Sequence, residues 1–142
     1  MKTSARNQFA GPVVAIKEGI VDTEVTIGLA PGIELTAIVT RESAENLGLV
    51  QGRDVLAFVK ASSILLLVGE DGRISARNRF TGTVSNIHHG PVNAEVTVTM
   101  PDGQHGITAV VTDASVQRLG LATGKPVTAV FKASSVFLVA TD

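Results

Sequence analysis

Two short polar segments occur twice in this sequence. Lys60-Ala61-Ser62-Ser63 returns as Lys132-Ala133-Ser134-Ser135, and Ser4-Ala5-Arg6-Asn7 returns as Ser75-Ala76-Arg77-Asn78. Arginine supplies a planar fork of donors and lysine a compact positive charge. Serine and threonine hydroxyls donate or accept as needed, and a helix start adds N–H groups with no partner in the helix. Thr40 and Thr112 stand where short helices are expected to begin, with Ser43 and Ser115 three residues on. Ser4, Arg6, Thr40, Ser43, Lys60 and Ser62 thus form one set, and Ser75, Arg77, Thr112, Ser115, Lys132 and Ser134 a second. Each set has the parts of an oxyanion site that needs no metal cation. Singly, each residue also has a plain structural reading: a solvated lysine at a strand end, an arginine near a chain end or linker, a threonine capping a helix. What favours a joint role is that the tetrapeptides are unchanged while apolar positions drift, Ile27 to Val98, Ile38 to Val110 and Leu65 to Phe137.

The elements that carry these residues follow from the repeat. Arg6 matches Arg77, Phe9 matches Phe80, Gly11 matches Gly82 and Gly19 matches Gly90, an offset of 71. One residue is inserted between Asp102 and Gly106, and from Thr40 with Thr112 onward the offset is 72. An insertion at that point fits a hairpin tip. Val21, Val25, Ile27 and Leu29 alternate with polar residues, which predicts a half-buried strand. Further strands are expected around Phe9 to Ile16, Leu35 to Thr40, Val55 to Lys60 and Ile64 to Val68. A short helix follows Thr40 and stops at Gly48, a C-terminal cap. The expectation is an all-β chain of two tandem five-stranded units, each with one short helix; small closed β units of that order include the OB-fold, though pattern alone does not give the strand order. The bounds of the two units are 4–68 and 75–140, with a linker at 69–74.

Composition narrows the function. The chain has 142 residues and a net charge of −1, with 12 Lys plus Arg against 13 Asp plus Glu. No basic surplus is present to drive phosphate-backbone binding, and without Trp or Tyr there is little to stack bases on. There is no cysteine, so thiolate ligands, disulfides and a Cys nucleophile are excluded. No apolar run is long enough to span a bilayer, and no signal peptide is visible, so a cytoplasmic location is expected. His88, His89 and His105 occur only in the second repeat. No metal-cation site is expected, and unit one lacks the usual general base, which argues against an enzyme. Residues 120–125 look faintly like a phosphate loop, but the spacing is one residue short and Pro126 replaces the Ser or Thr. Apolar residues make up 44% of the chain. Units this small have little interior, so part of that surface is expected to be covered by other subunits.

The two tetrapeptides, Phe9 with Gly11, the Thr-Ala-Ile-Val-Thr run at 36–40 and Leu-Gly-Leu at 47–49 resemble the molbindin family, built from Mop domains that bind molybdate. All of these motifs appear twice in the same order. The resemblance implies OB-fold-like Mop domains and a homo-oligomer, a trimer for a two-domain chain. Its anion sites would lie between subunits. Carried over, the ligands are Ser4, Arg6, Thr40, Ser43, Lys60, the backbone of Ala61 and Ser62, then Ser75, Arg77, Thr112, Ser115, Lys132, the backbone of Ala133 and Ser134. A second kind of site near the symmetry axis is assigned to Gly19, Ile20 and Val21 and to Gly90, Pro91 and Val92. No DNA-binding helical region precedes the repeats in this sequence, so no nucleic-acid role is carried over, and no membrane partner is expected. The expected function is storage and buffering of molybdate, with tungstate also accepted. The alternative is a regulatory module that reports molybdate status to a partner protein.

Overall fold

The computed structural model describes residues 2–69 and 72–140. Glu70 and Asp71, inside the expected linker, lie outside the described residues. Each repeat opens with a long strand, β1 (Asn7–Glu18) or β6 (Asn78–His89), whose alternate residues turn inward. Gly11 and Gly82 explain why Phe-x-Gly recurs. A Cβ on Gly11 would sit 2.1 Å from the Gly28 carbonyl oxygen, and one on Gly82 would sit 2.3 Å from that of Thr99. The first strand crosses the second too closely for any side chain there.

From β1 the chain runs as an antiparallel meander through β2 (Asp22–Ala30) and β3 (Ile33–Thr40). Helix α1 (Arg41–Leu47) follows, and β4 (Asp54–Val59) returns to lie beside β1. The spatial order β4-β1-β2-β3 is a Greek key. The second repeat repeats it with β7 (Asn93–Thr99), β8 (Gly106–Thr112), α2 (Asp113–Leu119) and β9 (Pro126–Phe131). Val21, expected within the second strand, instead sits in the preceding turn and is 71% exposed. The tight turn takes it, because Gly19 N–H donates to the Asp22 carbonyl at 2.8 Å. Val25 and Ile27 are fully buried as the alternation requires.

The fifth strands change partners. β5 (Leu65–Leu67) follows β4 in sequence but pairs with β9, and β10 (Val136–Ala140) follows β9 but pairs with β4. The compact units are therefore Met1–Val59 with Lys132–Asp142, and Lys60–Phe131, whereas the repeats are contiguous. Both repeats end in the same Lys-Ala-Ser-Ser followed by an apolar run, so either fifth strand presents suitable side chains to either fourth strand. Within each unit the outer strands approach one another, β10 against β3 and β5 against β8, so each sheet curls into a small barrel. The helix covers its end, burying Ala44 in unit one and Val116 in unit two.

Candidate functional site

Strand register sets where the duplicated segments meet. In unit one, Asn7 of β1 and Val136 of β10 both pair with Val59, the last residue of β4. The Ser4–Arg6 segment and the Lys132–Ser135 segment therefore enter the same end of the sheet, one on each side of β4. With strands about 4.8 Å apart, their entry points lie roughly 10 Å apart. In unit two, Asn78 pairs with Phe131 and Leu65 with Val130, so Ser75–Arg77 and Lys60–Ser63 converge in the same way. The Lys-Ala-Ser-Ser segments form short 3-10 turns, Ala61–Ser63 and Ala133–Ser135. The first packs against β8 and the second against β3.

The exchange redraws the grouping expected from the repeats. Ser4, Arg6, Thr40 and Ser43 share a unit with Lys132, Ala133 and Ser134. Ser75, Arg77, Thr112 and Ser115 share a unit with Lys60, Ala61 and Ser62. Within each turn the bonds run from Ser63 N–H to Lys60 O and from Ser135 N–H to Lys132 O, both 2.9 Å. The opening amides, those of Ala61 with Ser62 and Ala133 with Ser134, fall outside that ladder, as at any helix start.

Thr40 caps α1: its Oγ1 accepts from Ser43 N–H at 3.1 Å and lies 2.8 Å from Ser43 Oγ. Thr112 and Ser115 repeat both distances. Gly48 and Gly120 end the helices at φ of 63° and 65°, the left-handed region that favours glycine. Among the candidate ligands the side chains of Ser4, Arg6, Thr40, Ser43, Lys60, Ser62, Ser75, Arg77, Thr112, Lys132 and Ser134 are exposed, Ser115 is half-buried, and Ala61 and Ala133 are buried.

The segments assigned to a second kind of site are hairpin tips. Val21 O accepts from Arg41 N–H at 2.8 Å and Val92 O from Asp113 N–H at 2.9 Å, which ties each tip to the helix start. The tips are apolar and open: Ile20 is 91% exposed and Val92 70%. Beside the unit-two tip, His89 Nδ1 lies 3.2 Å from Asp113 Oδ1.

Two buried asparagines were missed by the sequence reading. Asn7 and Asn78 are 3% and 2% exposed, and Asn7 Nδ2 donates to Val59 O at 3.3 Å. Their signal was present, since each is the unchanged fourth residue of Ser-Ala-Arg-Asn. Through that bond Asn7 anchors the segment that bears Arg6, and Asn78 is buried at the matching place, paired with Phe131. The third histidine serves the inserted tip between β7 and β8. The hydrogen bond from the His105 side chain, then that from its backbone N–H, lowers Asp102 to a pKa of about 2. Among the described residues no group of three or more His, Asp or Glu side chains gathers to hold a metal ion. Among the described residues no helix is long and apolar enough to cross a membrane.

The TOBE domain model matches residues 3–66 and again residues 74–138. The chain belongs to the TOBE-domain family. Its two TOBE repeats are 50% identical over 138 residues to the molybdenum transport protein ModE of Azotobacter vinelandii. They are 46% identical over 139 residues to the molybdenum-pterin-binding protein MopA of Rhodobacter capsulatus. The match covers 97% of this chain, which spans about half the length of these relatives, 51% and 52%. A solved structure of the cytoplasmic molybdate-binding protein ModG, with molybdate bound, shares 49% identity and a TM-score of 0.94. It matches over 99% of this chain and 100% of its own. The TOBE matches keep to the repeats, whereas the folded units exchange their last strands.

Proposed function

We propose that this chain binds molybdate and stores or buffers it in the cytoplasm, accepting tungstate in the same sites, as a homotrimer that closes its anion sites between subunits. The observation that carries the reading is the exposure of the candidate ligands. Nearly every cationic and hydroxyl side chain in the two sets faces solvent. Solvated charges hold a dianion weakly, because water screens them. The same groups bind strongly once a second surface excludes water. A subunit interface supplies that surface, and the exposed apolar tips at Ile20, Val21 and Val92 supply apolar area to cover. The likeness to ModG over the whole length of both chains supports molybdate as the ligand.

In the proposed sites, Arg6, Arg77, Lys60 and Lys132 neutralise the dianion. Ser4, Thr40, Ser43, Ser62, Ser75, Thr112, Ser115 and Ser134 donate hydroxyls to its oxygens, and the Ala61 and Ala133 segments offer backbone N–H. Molybdate is larger than sulfate at equal charge, so cavity size excludes sulfate, while tungstate is too close in size to reject. Gly19, Ile20 and Val21 with Gly90, Pro91 and Val92 would form the second kind of site. No step in this scheme is catalytic, and a net charge of −1 gives no basis for a nucleic-acid partner.

The spans of 51% and 52% favour one second reading. The chain is equivalent to half of larger proteins, so the same sites could serve a module that reports molybdate to a partner. Native mass spectrometry with molybdate, and with sulfate as control, tests the main reading. A trimer that gains several molybdates and no sulfate supports it. A monomer that binds neither overturns it, and a partner captured only with molybdate favours the second reading.

A further inference from the structure

β1 turns Asn7, Phe9 and Val13 inward, and all three are buried. β6 is built the same way with Asn78, Phe80 and Val84. In each strand the first inward residue is thus a carboxamide among apolar side chains. A leucine there would fill similar space without the cost of taking a carboxamide out of water. Hydrogen bonds must offset that cost, so the partner shows what the carboxamide holds.

Asn7 Nδ2 donates to Val59 O at 3.3 Å, across the register pair in which the two residues stand opposite each other. Val59 is the last residue of β4, and Lys60 follows it. Lys60 is extended, at φ −69° and ψ 136°, and its side chain does not cap the turn it opens. The turn is closed by Ser63 N–H on Lys60 O at 2.9 Å. The bond at Val59 therefore fixes the chain one residue before the lysine. Asn78 stands opposite Phe131, the last residue of β9, and Lys132 follows at φ −74° and ψ 142°. Each asparagine adjoins an arginine in sequence, yet it lies against the strand end that delivers a lysine. Asn7 and Val59 belong to unit one, whereas Lys60 begins unit two, which contains Arg77.

We infer that Asn7 and Asn78 are positioning residues for the anion sites and act through the lysine turns. Asn7 sets where the Lys60 turn leaves β4, and Asn78 sets where the Lys132 turn leaves β9. This rests on the anion-binding role proposed for those turns. A hydrogen bond to an anion oxygen weakens steeply with distance and angle. A turn that pivots at its origin thus loses affinity although every ligand is still present.

Amide exchange by NMR on the free protein, combined with molybdate calorimetry, tests this. Asn7→Leu should speed exchange at Ser63 about fivefold and leave Ser135 unchanged, and Asn78→Leu should do the reverse. Each variant should weaken molybdate binding by about the same factor. The effect of Asn7→Leu should vanish when Lys60→Ala is already present and persist beside Lys132→Ala. A residue that only stabilised its own strand would add to both lysine variants alike. Where Asn7→Leu does not fold, Asn7→Ala removes the same donor without added bulk. Equal effects beside either lysine variant, faster exchange at Ser135 rather than Ser63, or unchanged affinity overturns the inference and leaves the molybdate reading standing. Wild-type protein that binds no molybdate overturns both.

Discussion

Replacing Val136 with alanine separates the exchanged fold from the contiguous one. Val136 belongs to the second repeat by sequence, but it opens β10, pairs with Val59 and is 4% exposed. The substitution removes two methyl carbons. At about 0.8 kcal/mol each, the transfer loss is about 1.6 kcal/mol, and the residual cavity raises it to about 2 kcal/mol. That corresponds to roughly a thirtyfold loss of hydrogen-exchange protection where opening exposes the amides. The loss should fall on β4 and on β1 from Asn7 to Pro12, and spare β6 and β9. The counterpart, Leu66→Ala in the first repeat, should cost about 2–5 kcal/mol and loosen β9 opposite Ala129, which pairs with Leu66. Exchange measured by mass spectrometry on both variants gives a crossed pattern under this topology. If Val136→Ala loosened β6 and β9 while β4 kept its protection, the strand exchange would be refuted.

Lys60→Ala with Lys132→Ala should abolish most molybdate binding in calorimetry while leaving the melting temperature of the free protein near the wild-type value. Wild-type affinity in the folded double variant would sink the site assignment. Gly82→Ala should destabilise unit two by several kcal/mol or prevent folding, because its Cβ would lie 2.3 Å from the Thr99 carbonyl oxygen; a chemical melt reads this directly. Thr40→Ala removes a side-chain cap and should lower stability by about 1 kcal/mol, whereas Thr40→Ser should retain most of it. The pH prediction concerns Asp102. Its folded pKa, about 2, lies below the ordinary 3.8, so its contribution is complete above the ordinary carboxylate range and is lost as pH falls through about 2. NMR should show the tip between β7 and β8 holding its geometry at pH 5 and loosening only in strong acid; loosening at pH 5 would contradict the bonding described.

Local rules made the elements legible. Thr40 and Gly48 mark the ends of α1 because a cap side chain and a left-handed glycine act within four residues of the chain. The alternation at Val25 and Ile27 gave β2, and the inserted residue near Asp102 fell on a hairpin tip. The overall likeness to a molybdate-binding protein was also legible, from polar segments that were unchanged while apolar ones drifted. Strand partnership was not. β5 and β10 follow the same tetrapeptide and present similar apolar faces, so no local rule distinguishes β4 from β9 as partner. Val21 misled for a related reason: its apolar type extended an alternation that the Gly19 turn had already ended.

The exchange bears on why both tetrapeptides are fixed. If each repeat folded on itself, one Lys-Ala-Ser-Ser could drift with its own Ser-Ala-Arg-Asn and leave the other copy unaffected. In the exchanged fold, Val59 is flanked by Asn7 of its own repeat and by Val136 of the other, and Phe131 has its own Asn78 on one side. A change in one Lys-Ala-Ser-Ser segment therefore acts on the unit built around the opposite repeat. Each folded unit holds the lysine turn of one repeat and the arginine segment of the other, so a change in either segment acts on a unit that also contains part of the other repeat. The identity of the tetrapeptides fits such a shared arrangement, while the cores of the two units accommodate differences such as Ile27 against Val98.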